Sequence, residues 1–90
     1  MTATDETALQ EAQRLVHGAR GEEYGHPTED FTRSAMMWTA ILGFPVRADQ
    51  IPLCMIAIKI SREVNRPKRD NRVDIAGYAE TLEMHHARMQ

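Results

Sequence analysis

Apolar residues recur with the period of an α-helix in four stretches of the chain. The first predicted helix begins at Thr4 as its N-cap and ends near Gly18, because glycine commonly follows a last helical turn. The second begins at Thr28 as its N-cap and ends at the Gly-Phe-Pro turn of residues 43–45. Their apolar rows are Ala8, Ala12, Leu15 and Val16, and then Phe31, Ala35, Trp38 and Leu42.

The third predicted helix has a different character. Residues 51–60 are apolar on nearly every side, which is typical of a central helix that its neighbours cover on several faces. Asp49 is its expected N-cap, and Pro52 then lies in the first turn, where a missing N–H costs nothing. Pro67 ends this helix.

The fourth predicted helix begins with Asp70 as its N-cap. Only residues 66–69 separate it from the third helix, so we expect the two to form an antiparallel hairpin. The sequence therefore predicts an all-α, four-helix bundle-like domain that comprises residues 1–90 and has the apolar third helix at its centre.

Residues 18–27 contain three glycines and a proline, which make a helix expensive, and they are expected to form a loop. Tyr24 lies within this segment. An aromatic residue there either packs on a neighbouring helix or lines a site, and the sequence alone favours packing.

The size of the chain predicts self-association. Ninety residues bury only a modest core, and Cys54 is the only cysteine, so no disulfide within the chain can reinforce it. We therefore expect a homo-oligomer. The first residues lack the basic and apolar regions of a signal peptide, and the longest apolar run is too short to span a membrane. A cytoplasmic protein with no membrane partner is the expectation, and the net charge of −2 gives no general attraction to nucleic acid.

The candidate chemistry lies on the charged faces of the predicted hairpin. Lys59, Arg62, Glu63 and Arg66 share one face of the third helix, and Asp70 and Asp74 lie on the fourth. Glu63, Asp70 and Asp74 are candidate ligands for Mg²⁺ or Mn²⁺, which prefer oxygen ligands and often also bind substrate phosphates. Lys59 and Arg62 would then neutralise phosphate charge. The same residues also suit ordinary salt bridges, and periodicity alone favours that interpretation.

Several short motifs resemble those of a family of small phage and prophage proteins. They are Tyr24-Gly25, Phe31, Trp38, a Lys-x-x-Arg pair at residues 59–62 and Asp-Ile-Ala-Gly-Tyr at residues 74–78. That family in turn resembles the all-α nucleoside triphosphate pyrophosphohydrolases of the MazG type. Those enzymes are oligomeric and hold Mg²⁺ with a Glu-Glu-x-x-Glu motif and a Glu-x-x-Asp motif on consecutive helices.

On this chain, Glu63 and Asp74 match acidic positions of those two motifs, whereas Arg62, Arg66 and Asn71 stand at other acidic positions. The resemblance implies a nucleotide-handling enzyme that uses Glu63, Asp70 and Asp74 on the metal and Lys59 and Arg62 on the phosphates. Tyr24 and Tyr78 would pack against the base or close the site.

Two other functions remain open from the sequence. One is a module in which Lys59, Arg62 and Arg66 bind a nucleotide or a small phosphorylated ligand without turnover. The other is an accessory protein that docks a host protein, with the charged cluster forming salt bridges. Sequence-specific DNA binding is not expected, because the basic residues are interleaved with acids.

Overall fold

A computed structural model describes residues 5–90, and within that range the fold is all-α, with helices joined by turns and no β-strand. The all-α fold and the antiparallel hairpin of the last two helices are confirmed. The described part forms five helices: α1 (Ala8–Val16), α2 (Ala19–Tyr24), α3 (Pro27–Leu42), α4 (Gln50–Asn65) and α5 (Arg69–Met89). None of these helices is long and apolar enough to cross a membrane.

The first helix begins later than the sequence predicted. Thr7 is the N-cap of α1, and its Oγ1 accepts a hydrogen bond from the Gln10 N–H at 3.1 Å. The Gln10 side chain accepts in return from the Thr7 N–H at 2.8 Å, which completes a capping box. The predicted cap, Thr4, lies outside the described residues.

The prediction of a loop over residues 18–27 was wrong for most of that segment. A short helix, α2, occupies Ala19–Tyr24. Two of the three glycines, Gly18 and Gly25, lie at its ends, so only Gly21 weakens the helix itself. Gly25 has a φ of 76°, a conformation that glycine adopts without strain and that turns the chain into α3.

Two further caps differ from the predicted ones. α3 begins at Pro27 rather than after Thr28, because the His26 ring accepts a hydrogen bond from the Thr28 N–H at 3.1 Å and so caps the helix. α5 begins after Lys68, so Asp70 lies in its first turn, where a carboxylate is favourable.

The centre of the fold is α5, which packs against α1, α3 and α4. The sequence predicted this central position for the apolar helix α4, and that prediction was wrong. α4 uses one face against α5 and leaves the side chains of Leu53, Ile60 and Val64 50%, 50% and 81% exposed. Gly77 lies on the face of α5 that packs against α1, where a Cβ would lie 3.4 Å from a Val16 methyl group.

The main core cluster joins α3 to the start of α4. Phe31, Ala35 and Ile51 are buried, and the partly buried Trp38 and Tyr78 pack against them. The predicted packing role of Trp38 is therefore confirmed. This cluster fixes the position of α4 relative to α5 and, with it, the geometry of the charged residues farther along the hairpin.

Candidate functional site

An open cleft of about 480 Å³ lies between the C-terminal half of α4 and the N-terminal half of α5. Four of its side chains are cationic and two are carboxylates, so the cleft has an excess of positive charge although the whole chain has a net charge of −2. The lining residues are Lys59, Ser61, Arg62, Asn65, Arg66, Lys68, Asp70, Asn71 and Asp74.

An ion pair across the hairpin forms the inner wall of this cleft. Lys59 Nζ lies 2.8 Å from Asp74 Oδ2, and the two side chains are 16% and 34% exposed. The salt-bridge interpretation of the sequence is therefore confirmed for these two residues. Lys59 pairs across the hairpin to α5 and not with Glu63 on its own helix, whose carboxylate pairs with Arg72.

Arg62, in the last turn of α4, and Arg66, its C-cap residue, also line the cleft, and both residues are exposed. Within residues 5–90, neither guanidinium forms an ion pair. Asp70, across the cleft, lies 3.7 Å from Lys68 in a largely exposed pair. The two arginines therefore retain their full donor capacity toward solvent or a ligand.

Glu63 does not line the cleft, and three donors already occupy its carboxylate. Its Oε1 accepts from the Lys68 N–H at 2.9 Å and from the Asn71 amide at 3.2 Å. Its Oε2 pairs with the Arg72 guanidinium. The backbone hydrogen bond from Lys68, followed by those from Arg72 and Asn71, lowers the pKa of Glu63 below its ordinary value. In this geometry Glu63 stabilises the turn between α4 and α5.

The structure thus places the three predicted metal ligands in different surroundings. Asp70 and Asp74 lie one turn apart in the cleft, whereas Glu63 binds the turn behind it. Among residues 5–90, no three acidic, histidine or cysteine side chains are grouped closely enough to hold a metal ion together. A metal at this hairpin would therefore take at most the two aspartates, together with water and ligand oxygens.

Asn71 is a residue whose role sequence reasoning missed. It is 7% exposed, and its amide donates to Glu63 Oε1 and to the Arg66 carbonyl at 3.5 Å. It therefore joins the first turn of α5 to the last turn of α4 at the floor of the cleft. The sequence analysis noted Asn71 only because it stands where the Glu-x-x-Asp motif has an acidic residue.

The two tyrosines are brought together by a residue that the sequence analysis did not single out. The Arg20 guanidinium lies 4.7 Å from the centre of the Tyr78 ring and 5.2 Å from that of Tyr24. These are cation–π distances. A smaller cleft of about 160 Å³ includes both rings and shares Asp74 with the charged cleft. Tyr24 is 46% exposed, so it lines this site as well as packing on Arg20.

Comparison with known proteins shows that the chain is similar to proteins of two mycobacteriophages. Residues 7–85 match a family described as a domain of unknown function, DUF6378. The chain is 39% identical over 79 residues to the Gene 55 protein of Mycobacterium phage D29, covering 87% of this chain and 52% of that protein. It is 36% identical over 77 residues to the Gene 55 protein of Mycobacterium phage L5, covering 83% and 49%.

This chain therefore spans about half the length of the curated relatives that it matches. No solved structure matches it significantly. The family match includes all five helices to within a few residues of the end of α5, and with them every residue of the charged cleft. The chain belongs to the DUF6378 family.

Proposed function

We propose that this protein binds a nucleotide or a related phosphorylated ligand in the cleft between α4 and α5. The observation that carries the proposal is the pair of arginines, Arg62 and Arg66, which line an open cleft and form no ion pair within residues 5–90. Guanidinium groups bind phosphate oxygens in a bidentate manner. Two of them one helical turn apart suit neighbouring phosphates or a single phosphate held from two sides.

The smaller cleft supports a nucleotide over a simple phosphate. Tyr78 follows Asp74 by one turn of α5, so the aromatic rings adjoin the cationic residues. Tyrosine rings provide stacking surfaces for a base, and Arg20 adds a cation beside them. A base at Tyr78 and Tyr24 would leave its phosphates directed toward Lys59, Arg62 and Arg66.

The geometry favours binding without turnover. Glu63 is engaged by three donors, and Asp74 is neutralised by Lys59 at 2.8 Å. Both carboxylates would have to exchange these partners before they could bind a cation together. Binding by the arginines needs no such rearrangement.

Metal-dependent pyrophosphohydrolysis is the second candidate, and one observation favours it. Asp70 and Asp74 both line the cleft, one turn apart on α5. Mg²⁺ is commonly held by one or two carboxylates together with substrate phosphates and water. In that case Mg²⁺ or Mn²⁺ would lie between the aspartates and a nucleoside triphosphate.

The test is a calorimetric titration with nucleoside mono-, di- and triphosphates and cyclic nucleotides, in Mg²⁺, in Mn²⁺ and in chelator, with chromatography of the nucleotides afterwards. We expect binding that persists in chelator. Arg62→Ala should weaken it about 10- to 100-fold, because a charge-assisted hydrogen bond contributes roughly 1.5–3 kcal/mol.

Arg33→Ala is the matched control, since Arg33 is an exposed arginine of α3 outside the cleft. This variant should bind the nucleotide with the same affinity as the wild-type protein. A monophosphate product that appears only with metal and disappears in Asp74→Asn would establish the enzyme instead. The absence of both binding and turnover across the panel would refute nucleotide handling and favour docking of a host protein.

A further inference from the structure

The face of α4 that points away from α5 carries an unpartnered apolar stripe. Its residues are spaced four, three and four apart, which is the a/d pattern of a coiled-coil seam. All four are exposed, and Val64 is 81% exposed. The stripe consists of Leu53, Ala57, Ile60 and Val64.

The surface of the chain is larger than a monomer of this mass should have. Its accessible surface is 6305 Å², against about 5,350 Å² expected for a monomeric protein of 10.3 kDa. The radius of gyration is 14.0 Å, against about 12 Å for a compact domain of this length. The excess area, roughly 950 Å² summed over the whole chain, is large enough to supply the ~800 Å² that each partner buries in a standard interface.

We infer that the α4 stripe is covered by the same stripe of a second copy of this chain, with the two α4 helices antiparallel. The stripe is symmetric about its midpoint. In an antiparallel pair, Leu53 of one copy faces Val64 of the other, and Ala57 faces Ile60. Each large side chain at the ends meets another large one, and the small Ala57 lets the helices approach near the centre.

Charge selects the antiparallel arrangement over the parallel one. The N-terminal part of α4, residues 50–58, contains no charged residue, whereas residues 59–66 carry three bases (Lys59, Arg62 and Arg66) and one acid (Glu63), a net charge of +2. Parallel helices would place two basic ends side by side, which is unfavourable. Antiparallel helices place each basic end beside the uncharged part of the other copy.

The dimer leaves the charged cleft open. Successive residues of a helix are rotated by about 100°, so Arg62, two positions from both Ile60 and Val64, lies about 160° from each, on the opposite side of α4. The inferred interface therefore does not rest on the proposed function, and either can fail without the other. The exposed Cys54, next to Leu53 in the chain, would lie at the edge of this interface.

Disulfide trapping tests both the interface and its direction. Leu53→Cys and Val64→Cys are made separately in a Cys54→Ser background, oxidised alone and mixed, and resolved by non-reducing electrophoresis. We expect a disulfide only in the mixture. In the antiparallel pair, Leu53 of one copy faces Val64 of the other. The two Leu53 residues, like the two Val64 residues, are therefore separated along the helix axis by the rise of 11 residues, about 16 Å, which is too far for a disulfide.

Sedimentation of the unmodified chain and of one charge variant completes the test. The wild-type chain should sediment at twice its mass, and Ile60→Glu should be monomeric with unchanged helical circular dichroism. Met36→Glu is the matched control, because Met36 is an apolar residue on α3 that is 69% exposed, against 50% for Ile60, and this variant should remain dimeric. A monomeric wild type, dissociation by Met36→Glu alone, or homodisulfides in the single variants would overturn the inference.

Discussion

Replacing the buried amide of Asn71 by a carboxylate tests whether that residue holds the hairpin together. Asn71→Asp preserves the shape of the side chain but removes both donors to Glu63 Oε1 and to the Arg66 carbonyl. It also introduces a second carboxylate beside that of Glu63, at a position that is only 7% exposed. Both changes destabilise the folded state, because the hydrogen bonds from the buried Asn71 amide are lost and a buried carboxylate approaches that of Glu63.

The expected loss at pH 7 is at least about 2 kcal/mol, since leaving a buried hydrogen-bonding group unsatisfied costs roughly 1–3 kcal/mol and the charge repulsion adds to that. A 90-residue protein has a total stability of roughly 5–13 kcal/mol. The melting temperature should therefore fall by roughly 8–16 °C, at about 4–8 °C per kcal/mol for a domain of this size.

The pH dependence separates the two contributions. Burial and the neighbouring Glu63 carboxylate should raise the pKa of the introduced carboxyl in the folded state, so its penalty should be absent below the unfolded pKa of about 4, grow as the pH rises toward the folded pKa, and level off above it. Differential scanning calorimetry from pH 4 to pH 8 should show the melting temperatures of the variant and the wild type converging as the pH falls.

Asn65→Asp is the control, because Asn65 lines the same cleft but is exposed. Its melting temperature should change little. A loss of similar size in both variants, or a loss in Asn71→Asp that does not depend on pH, would refute the assigned role of Asn71.

Three further outcomes follow from the structure. Glu63→Gln should lower the melting temperature at pH 7. Because the pKa of Glu63 is lowered in the folded state, its stabilising contribution is lost on protonation, and the difference from wild type should vanish as the pH falls well below 4.5. A difference in melting temperature that is constant with pH would contradict this. In chemical unfolding, Gly77→Ala should be neutral or stabilising by up to about 1 kcal/mol, since the added Cβ makes an ordinary 3.4 Å contact with Val16. Gly77→Leu should destabilise the fold, because the larger side chain forces α1 away from α5. Equal effects of the two substitutions would refute the close packing of α1 on α5. Thr7→Ala should cost roughly 1 kcal/mol by the same measurement, and no loss would place the helix start elsewhere.

Periodicity was sufficient to predict the helices that bury a continuous apolar row. Phe31, Ala35 and Trp38 lie in the core as their spacing indicated, and Pro67 separates α4 from α5. The helix α2 was not predicted because the number of glycines in residues 18–27 was taken as evidence against a helix, although Gly18 and Gly25 lie at the helix ends, where glycine is tolerated. The central position assigned to α4 failed because an apolar sequence does not reveal whether its cover comes from the same chain.

The site could be predicted only in part, because the partner of each charge depends on the turn between the helices. The sequence indicated that Lys59, Arg62, Glu63 and Asp74 would meet at the hairpin. Which of them would pair depended on the Lys68 N–H, which binds Glu63, and on the register that places Lys59 opposite Asp74. The contact of Arg20 with both tyrosines arises from the unpredicted helix α2.

The bonds that close the turn between α4 and α5 also determine how costly it is to fill the cleft. Glu63 and Asn71 tie both helices to a three-residue connection, so the cationic side chains of the cleft extend from α4 and from this connection, a backbone that is already ordered. Loops that must be immobilised on binding consume part of the interaction energy. If the proposed ligand binds, the side chains of Arg62 and Arg66 would be the main groups to lose freedom, and the cleft would act as a rigid receptor rather than as a closing clamp.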